Sequence, residues 1–198
     1  MTSVDSPAGT VLGADGLPRC GWAGQTPDYA RYHDDEWGRP VRGEQALYER
    51  LTLEAFQSGL SWLTILRKRP AFRTAFAGFD AEQVARYDET DVQRLMGDAS
   101  IVRNQAKIRA AIANARAVLR LREQGGLDAL LWSFAPPPRP DRLTDLDAVP
   151  ASTPESVALA KALRRHGFAF VGPTTAYAAM QACGLVDDHV RGCHVVAG

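Results

Sequence analysis

Apolar residues at helical spacing are the feature that most limits what this chain can fold into. Between residues 44 and 57, Leu47, Leu51 and Phe56 recur on one helical face. A long alanine-rich segment begins at Asn104 and ends at Gly125, where a glycine pair stops the helix. No run of residues alternates between apolar and polar as a half-buried strand does. The sequence therefore predicts an all-α fold.

Capping residues predict where further helices begin. Ser61 is predicted to cap a helix that runs through Leu66, and Asp80 and Asp88 are each predicted to lead a short helix. A capping-box signature at Ser152–Glu155 predicts the start of another helix. A last helix is predicted from near Pro173 to Gly184. Pro and Asp residues break regular structure over 135–152, which predicts a surface loop.

The first eighteen residues contrast with the rest of the chain. Residues 1–18 are rich in Gly, Ser, Asp and Pro, so we expect a disordered extension, followed by a single helical domain over residues 19–198. No apolar run reaches the length of a membrane span, and the N-terminus lacks the features of a signal peptide, which predicts a cytoplasmic protein. The 23 basic and 23 acidic residues balance, so bulk charge neither favours nor excludes a nucleic-acid partner.

Cysteine and histidine occur as two distant pairs. Cys20 and His33 lie near the start of the predicted domain, and His189 and Cys193 near its end. Two sulfurs and two nitrogens suit tetrahedral zinc, but pairs this sparse fit unrelated core or surface residues equally well. Three other residues compete as ligands: His166, Cys183 and His194.

Aromatic residues crowd into a short stretch that follows Cys20. Trp22, Tyr29, Tyr32 and Trp37 fall within nineteen residues, 20–38. They can be core residues, or they can form a stacking pocket for a planar, positively charged ligand.

Glu54 stands alone in an apolar helical stretch. It either reaches solvent or an arginine, or it is an acceptor in a pocket near Trp62.

The segment "FVGPT", residues 170–174, joins two predicted helices. It is either a plain connection or a hairpin whose backbone amides hold a DNA phosphate. Five basic residues either attract DNA or form ordinary solvated faces: Arg103, Lys107, Arg109, Arg164 and Arg165.

Together, these blocks resemble the 3-methyladenine DNA glycosylase I family of the helix-hairpin-helix superfamily. The resemblance runs through "RCGWAGQTPDYARYHDDEWGRP", "LEAFQSGLSWLTILRKR", "DASIVRNQAKIRAAIANARA", "LWSF" and "KALRRHGFAFVGPTTAYAAMQACGLVDDHVRGC". It implies the helix-hairpin-helix glycosylase fold, with two lobes and the base pocket between them. It also implies one structural zinc that ties the N- and C-terminal segments together through Cys20, His33, His189 and Cys193.

The resemblance implies roles for individual residues. Glu54 accepts hydrogen bonds from the damaged base. Gly59 and Leu60 enter the DNA near the vacated position, and Gly172 and Thr174 meet the backbone. The base-binding aromatics are Trp22, Tyr29, Tyr32, Trp37 and Trp62.

Two departures from the superfamily pattern concern the C-terminal part. The hairpin reads Gly172-Pro173-Thr174 instead of Gly-x-Gly, and Pro173 has no amide hydrogen, so neighbouring amides must contact the phosphate with a weaker grip. Asp187 stands where many superfamily glycosylases carry a catalytic Asp but members of this family often read Asn. Its role is open between a working carboxylate and a helix-end residue.

The resemblance implies an enzyme that acts on double-stranded DNA containing alkylated adenine. It flips out 3-methyladenine and hydrolyses the N-glycosidic bond, without a lyase step because "PTTAYAAM" lacks the Schiff-base lysine. A monomer is expected. The alternatives are a non-catalytic, zinc-stapled helix-hairpin-helix DNA-binding module and a zinc hydrolase with another substrate.

Overall fold

The computed structural model describes residues 9–196. Helices dominate this part of the chain, which confirms the all-α prediction. Their bounds are α1 Pro27–Asp35, α2 Glu44–Gln57, α3 Trp62–Ala75, α4 Ala81–Ala85, α5 Glu89–Gly97, α6 Gln105–Leu121, α7 Gly126–Trp132, α8 Pro154–Arg165 and α9 Pro173–Ala182. No helix within residues 9–196 is long and apolar enough to cross a membrane.

The core is built around α2 and α6. Helix α2 packs against α3, α6, α7 and α9, and α6 also covers α4 and α5. Buried alanines in α6, such as Ala111 and Ala115, let neighbouring helices approach closely. Phe56 of α2 meets Phe72 of α3 with ring centroids 4.8 Å apart. Both central helices are packed on several sides, so their backbones are held in place. Side chains that they project into a cavity are therefore well positioned.

Helix starts follow the predicted caps in three places. The Ser61 hydroxyl accepts the Thr64 N–H, Asp80 caps α4, and Asp88 forms a capping box with Asp91. Helix α3 continues past the predicted end at Leu66 to Ala75.

The predicted capping box at Ser152–Glu155 is wrong by one residue. Thr153 is the N-cap of α8, and its hydroxyl accepts the Ser156 N–H while the Ser156 hydroxyl accepts the Thr153 N–H. Pro154 therefore takes the first helical position, where a missing N–H costs nothing.

The segment predicted to lie outside the fold is partly structured. Residues 1–8 lie outside the described residues, but Thr10–Leu12 (β1) pairs antiparallel with Pro18–Cys20 (β2). Arg19 is 5% exposed and bonds Asp15 and Asp34, each at 2.6 Å. The extension prediction is thus wrong for 9–18, because main-chain pairing closes the hairpin and the ion pair between buried Arg19 and Asp34 ties it to α1.

The C-terminal segment returns to this hairpin. The His194 N–H donates to the Pro18 carbonyl at 2.8 Å, and the Val190 N–H donates to Cys20 Sγ at 3.4 Å. Val190, Val195 and Cys193 form a small apolar cluster with Cys20. The two ends of the described chain therefore meet beside α1.

Candidate functional site

A cavity of about 520 Å³ opens beside α1, α2 and α9. It gathers residues that are distant in sequence, including every aromatic residue predicted to bind a base. Its walls are formed by Trp22, Tyr29, Tyr32, Trp37, Glu54, Gln57, Trp62, Leu146, Val149, Ala178, Gln181 and Asp188.

The aromatic side chains of the cavity hold one another in place. Trp22 meets Trp37 and Tyr29 edge to face, with ring centroids 5.1 and 5.6 Å apart, and Tyr32 lies 5.3 Å from Trp62. The Tyr29 hydroxyl accepts the Leu63 N–H at 3.0 Å, which joins α1 to the first turn of α3. The aromatic walls are therefore fixed before any ligand enters.

Two polar groups of the cavity are left without partners. The indole Nε1 of Trp62 is buried and makes no hydrogen bond within residues 9–196. Glu54 is 6% exposed, and no described residue donates a hydrogen bond to its carboxylate. Burial raises the pKa of Glu54 to about 8, although the positive charge of Arg50 one helical turn earlier opposes the rise. A ligand with both a donor and an acceptor can satisfy the two groups.

Asp188 is a second buried carboxylate on the cavity wall, and sequence reasoning missed it. It accepts hydrogen bonds from the Tyr177 hydroxyl at 2.6 Å and from Gln181 Nε2 at 2.8 Å, and it forms an ion pair with Arg139. These bonds join α9, the loop over 135–152 and the C-terminal segment at one point. The only sequence signal was its position between Asp187 and His189.

Asp187 does not reach the cavity. Its Oδ1 accepts the backbone N–H of His189 at 3.0 Å and lies 2.7 Å from His189 Nδ1, and Oδ2 lies 3.4 Å from Arg142. The structure thus places Asp187 behind a predicted metal ligand. Asp187 lies in irregular backbone five residues beyond the end of α9, and its carboxylate does not line the cavity.

Three of the four predicted metal ligands come together beside the cavity, and the fourth, His189, lies next to them. The ligand atoms of Cys20, His33 and Cys193 lie within 4.8 Å of one another, and His33 Nε2 is 3.4 Å from Cys193 Sγ. The ring of His189 lies 4.9 Å from that of His33, and its buried Nε2 has no partner within the described chain.

Carboxylates fix both histidine rings. Asp34 Oδ1 lies 2.8 Å from His33 Nδ1, as Asp187 does with His189, so Nε2 of each ring is left for a ligand. The close contact between the two thiols lowers the pKa of Cys193 and raises that of Cys20. This donor set fits tetrahedral zinc.

Only one of the three competing ligands lies near this cluster. His194 Nε2 contacts the Asp34 carboxylate at 3.1 Å, and the ligand atoms of His33, Asp34 and His194 lie within 4.8 Å of one another. His166 is the C-cap of α8, and Cys183 is the C-cap of α9, buried in the main core.

The residues predicted to meet DNA lie on two exposed turns. Gly59 has φ +83°, a conformation that favours glycine, and Leu60 is 40% exposed between α2 and α3. Gly172 is the N-cap of α9, with Pro173 at its first position, so Thr174 is the next residue that offers an N–H.

Two of the predicted basic residues are engaged elsewhere. Lys107 is 7% exposed and bonds backbone carbonyls, so both predictions for it were wrong: it neither attracts DNA nor lies on a solvated face. Arg109 pairs with Glu89 at 2.8 Å on the surface.

Known proteins resemble the chain along nearly its whole length. The family model described as methyladenine glycosylase matches residues 22–196. DNA-3-methyladenine glycosylase 1 of Escherichia coli (strain K12) is 48% identical over 179 residues, which cover 89% of this chain and 96% of that protein. DNA-3-methyladenine glycosylase of Haemophilus influenzae is 42% identical over 177 residues, covering 88% and 96%.

Solved structures agree with these sequence matches. A crystal structure of 3-methyladenine DNA glycosylase I superimposes with a TM-score of 0.86 at 47% identity, covering 89% of this chain and 98% of that one. A variant of 3-methyladenine DNA glycosylase I in complex with 3-methyladenine gives 0.83 at 34% identity, covering 89% and 96%. This chain therefore belongs to the methyladenine glycosylase family.

Proposed function

We propose that this protein is a DNA glycosylase that flips 3-methyladenine out of double-stranded DNA and hydrolyses its N-glycosidic bond. The observation that carries the proposal is Glu54, a buried carboxylate without a hydrogen-bond donor in a cavity walled by aromatic rings. The activity named for the relatives in E. coli and H. influenzae supports it.

The chemistry of the cavity fits a cationic base. Methylation at N3 gives adenine a positive charge, and aromatic faces attract positive charge. Tyr32 and Trp62 lie 5.3 Å apart as one part of that wall. Glu54 in its ionised form accepts the N–H of the exocyclic amine and balances the charge of the base. Uncharged adenine interacts more weakly with both the aromatic faces and the Glu54 carboxylate, so the site favours the methylated base.

The reaction then needs little acid catalysis. Flipping the nucleotide costs a few kcal/mol, least at a destabilised pair. When the bond between N9 and the sugar C1′ breaks, its electron pair neutralises the cationic base, which leaves as free 3-methyladenine. Water bonds to C1′ of the positively charged sugar and loses a proton, which produces an abasic site. Asp188, which pairs with Arg139, is a second carboxylate at the wall of the same cavity.

We expect no lyase step. Cleaving the DNA strand through a Schiff base requires an amine nucleophile at the sugar. None of the described residues that line the cavity is a lysine. The abasic site is therefore the expected end product.

A zinc ion held by Cys20, His33, His189 and Cys193 is part of the proposal. Four protein ligands leave no open position for water, so the ion would be structural. It would join segments more than 150 residues apart in sequence and restrict the unfolded chain accordingly. Because Tyr32 and Asp188 are direct neighbours of two of these ligands, the ion would also steady two walls of the cavity.

We further propose how the protein meets DNA. Leu60 would fill the space that the flipped base leaves, with Gly59 allowing close approach. The first free amides of α9, beginning at Thr174 beside Gly172, would hold one phosphate, and the hairpin grip is weakened by Pro173, which has no N–H to give. A monomer acting in the cytoplasm completes this proposal.

Incubation with a methylated duplex, followed by chromatography of the released bases, tests the function. The protein is expected to release 3-methyladenine, and Glu54→Gln to lose most of that activity. Glu49→Gln is the matched control. Glu49 lies on the same helix but outside the cavity, where it forms an ion pair of 2.9 Å with Arg73. Folded, zinc-loaded protein that binds the duplex without releasing a base would instead be a non-catalytic binding module.

A further inference from the structure

Two exposed turns that the proposed function assigns to DNA belong to different parts of the chain. One carries Leu60, which is 40% exposed, and the other carries Phe170, which is 43% exposed. Gly59 and Phe170 have positive φ values of +83° and +56°. A phenylalanine in this conformation is strained, so surrounding contacts must hold the second turn in shape.

Lys107 of α6 holds the first turn. Its side chain is 7% exposed, and Nζ donates to the Phe56 carbonyl at 2.9 Å and to the Ser58 carbonyl at 2.6 Å. These carbonyls lie at the C-terminal end of α2, where the helix leaves acceptors unpaired. No acidic residue within the described chain pairs with this buried ammonium group. Its contacts are thus all to the backbone that leads into Gly59.

Asn114 of α6 holds the second turn. It is 1% exposed, its Nδ2 donates to the Ala169 carbonyl at 3.2 Å, and its Oδ1 accepts the Ala169 N–H at 2.7 Å. Both polar groups of one backbone unit are therefore bound by a single side chain. Ala169 immediately precedes the strained Phe170, so this pair of bonds fixes where the turn begins.

The two anchors share one rigid helix. Lys107 and Asn114 are seven residues apart on α6, which spans Gln105–Leu121 without a break. Seven residues are about two helical turns, so both side chains leave the same face at points about 10 Å apart along the axis.

We propose that Lys107 and Asn114 are positioning residues, and that α6 sets the separation at which the two turns engage one DNA duplex. The proposal rests on the proposed function, since it concerns the DNA that the glycosylase binds. Neither residue lines the base cavity. Their effect therefore falls on duplex binding and leaves recognition of the free base intact.

Lys107→Met and Asn114→Leu test the proposal, because each keeps the size of the side chain and removes its bonds to the backbone. Tyr48→Phe is the matched control: the Tyr48 hydroxyl donates to the Ala111 carbonyl of α6 at 2.9 Å, between the two anchors but away from both turns. Affinity is measured for free 3-methyladenine by tryptophan fluorescence, and for a duplex carrying a non-cleavable abasic-site analogue.

Each single variant is expected to weaken duplex binding by about tenfold or more while its affinity for the free base stays within about twofold. Tyr48→Phe should change neither affinity. The double variant should bind the duplex only slightly more weakly than the single variant with the lower affinity. Once one turn is displaced, the two turns no longer have the separation that the duplex requires, so displacing the second adds little. If Lys107→Met does not fold, Lys107→Gln, which keeps a shorter donor, is measured instead.

Three results would overturn the proposal: unchanged duplex affinity, equal losses of free-base and duplex affinity, or losses that multiply in the double variant as those of independent contacts do. Failure of the proposed function is distinguishable from these. In that case the unsubstituted protein itself neither releases 3-methyladenine nor prefers the abasic-site duplex.

Discussion

Replacing Glu54 by Gln is expected to stabilise the fold while it removes the activity. The pKa of Glu54 rises from 4.5 in an exposed chain to about 8 in the buried site. Between these values the unfolded chain has lost a proton that the folded protein still binds, so stability falls as pH rises. The loss of stability that results from burying the Glu54 carboxylate is absent below about pH 4.5 and complete above about pH 8. A neutral glutamine carries no such cost.

The two pKa values set the size of the effect. Their difference corresponds to about 5 kcal/mol above pH 8, to about 3 kcal/mol at pH 7 and to about 1 kcal/mol at pH 5. The hydrogen bonds of the new amide add an offset that does not depend on pH. The growth of the stability gap with pH is therefore the quantity to measure.

Urea unfolding of the original protein and of Glu54→Gln, at pH 5, 7 and 8.5 with zinc present throughout, measures that gap. The variant should gain about 2.5 kcal/mol relative to the original protein between pH 5 and 7. A gap that is constant with pH, or that grows in the opposite direction, would refute the argument. Glu49→Gln should instead lose stability, because it breaks the ion pair with Arg73. Glu54 thus lowers the stability of the fold, and its negative charge is one that a cationic base can neutralise.

Three further predictions concern the metal cluster and the cavity wall. Asp187→Asn should weaken zinc affinity by about 10- to 100-fold, measured by competition with a chelating dye, yet leave base release unchanged at saturating zinc, because Asp187 contacts His189 Nδ1 at 2.7 Å and not the cavity. Lost release at saturating zinc would return Asp187 to the reaction. Removing metal with a chelator under reducing conditions should lower the Tm and zinc should restore it, whereas an unchanged Tm in verified metal-free protein would contradict the zinc site. Tyr29→Phe should cost about 1 kcal/mol in urea unfolding, since the Leu63 N–H loses its acceptor, and an unaffected stability would mean that this N–H is satisfied without the hydroxyl.

Local sequence determined most of the helices. The Ser61, Asp80 and Asp88 caps act on amides two or three residues ahead, so they can be read without knowing the rest of the fold. The bounds of α2 follow from apolar spacing alone. The β1–β2 hairpin escaped prediction because three-residue strands show no periodicity, and because Arg19 secures them through Asp34, a partner fifteen residues away.

Family resemblance identified the aromatic residues, Glu54 and the four ligands as candidates, and the fold brings them together. The tertiary structure alone distinguished Asp188 from Asp187. They are adjacent and chemically identical, and the irregular backbone after α9 has no period that assigns their faces. The burial of Lys107 also depends on tertiary structure. Its sequence position suggests a surface charge, and only the packing of α6 against the end of α2 makes it a buried donor. Sequence determines what acts over a few residues, whereas the direction of a side chain relative to distant segments depends on how the helices pack.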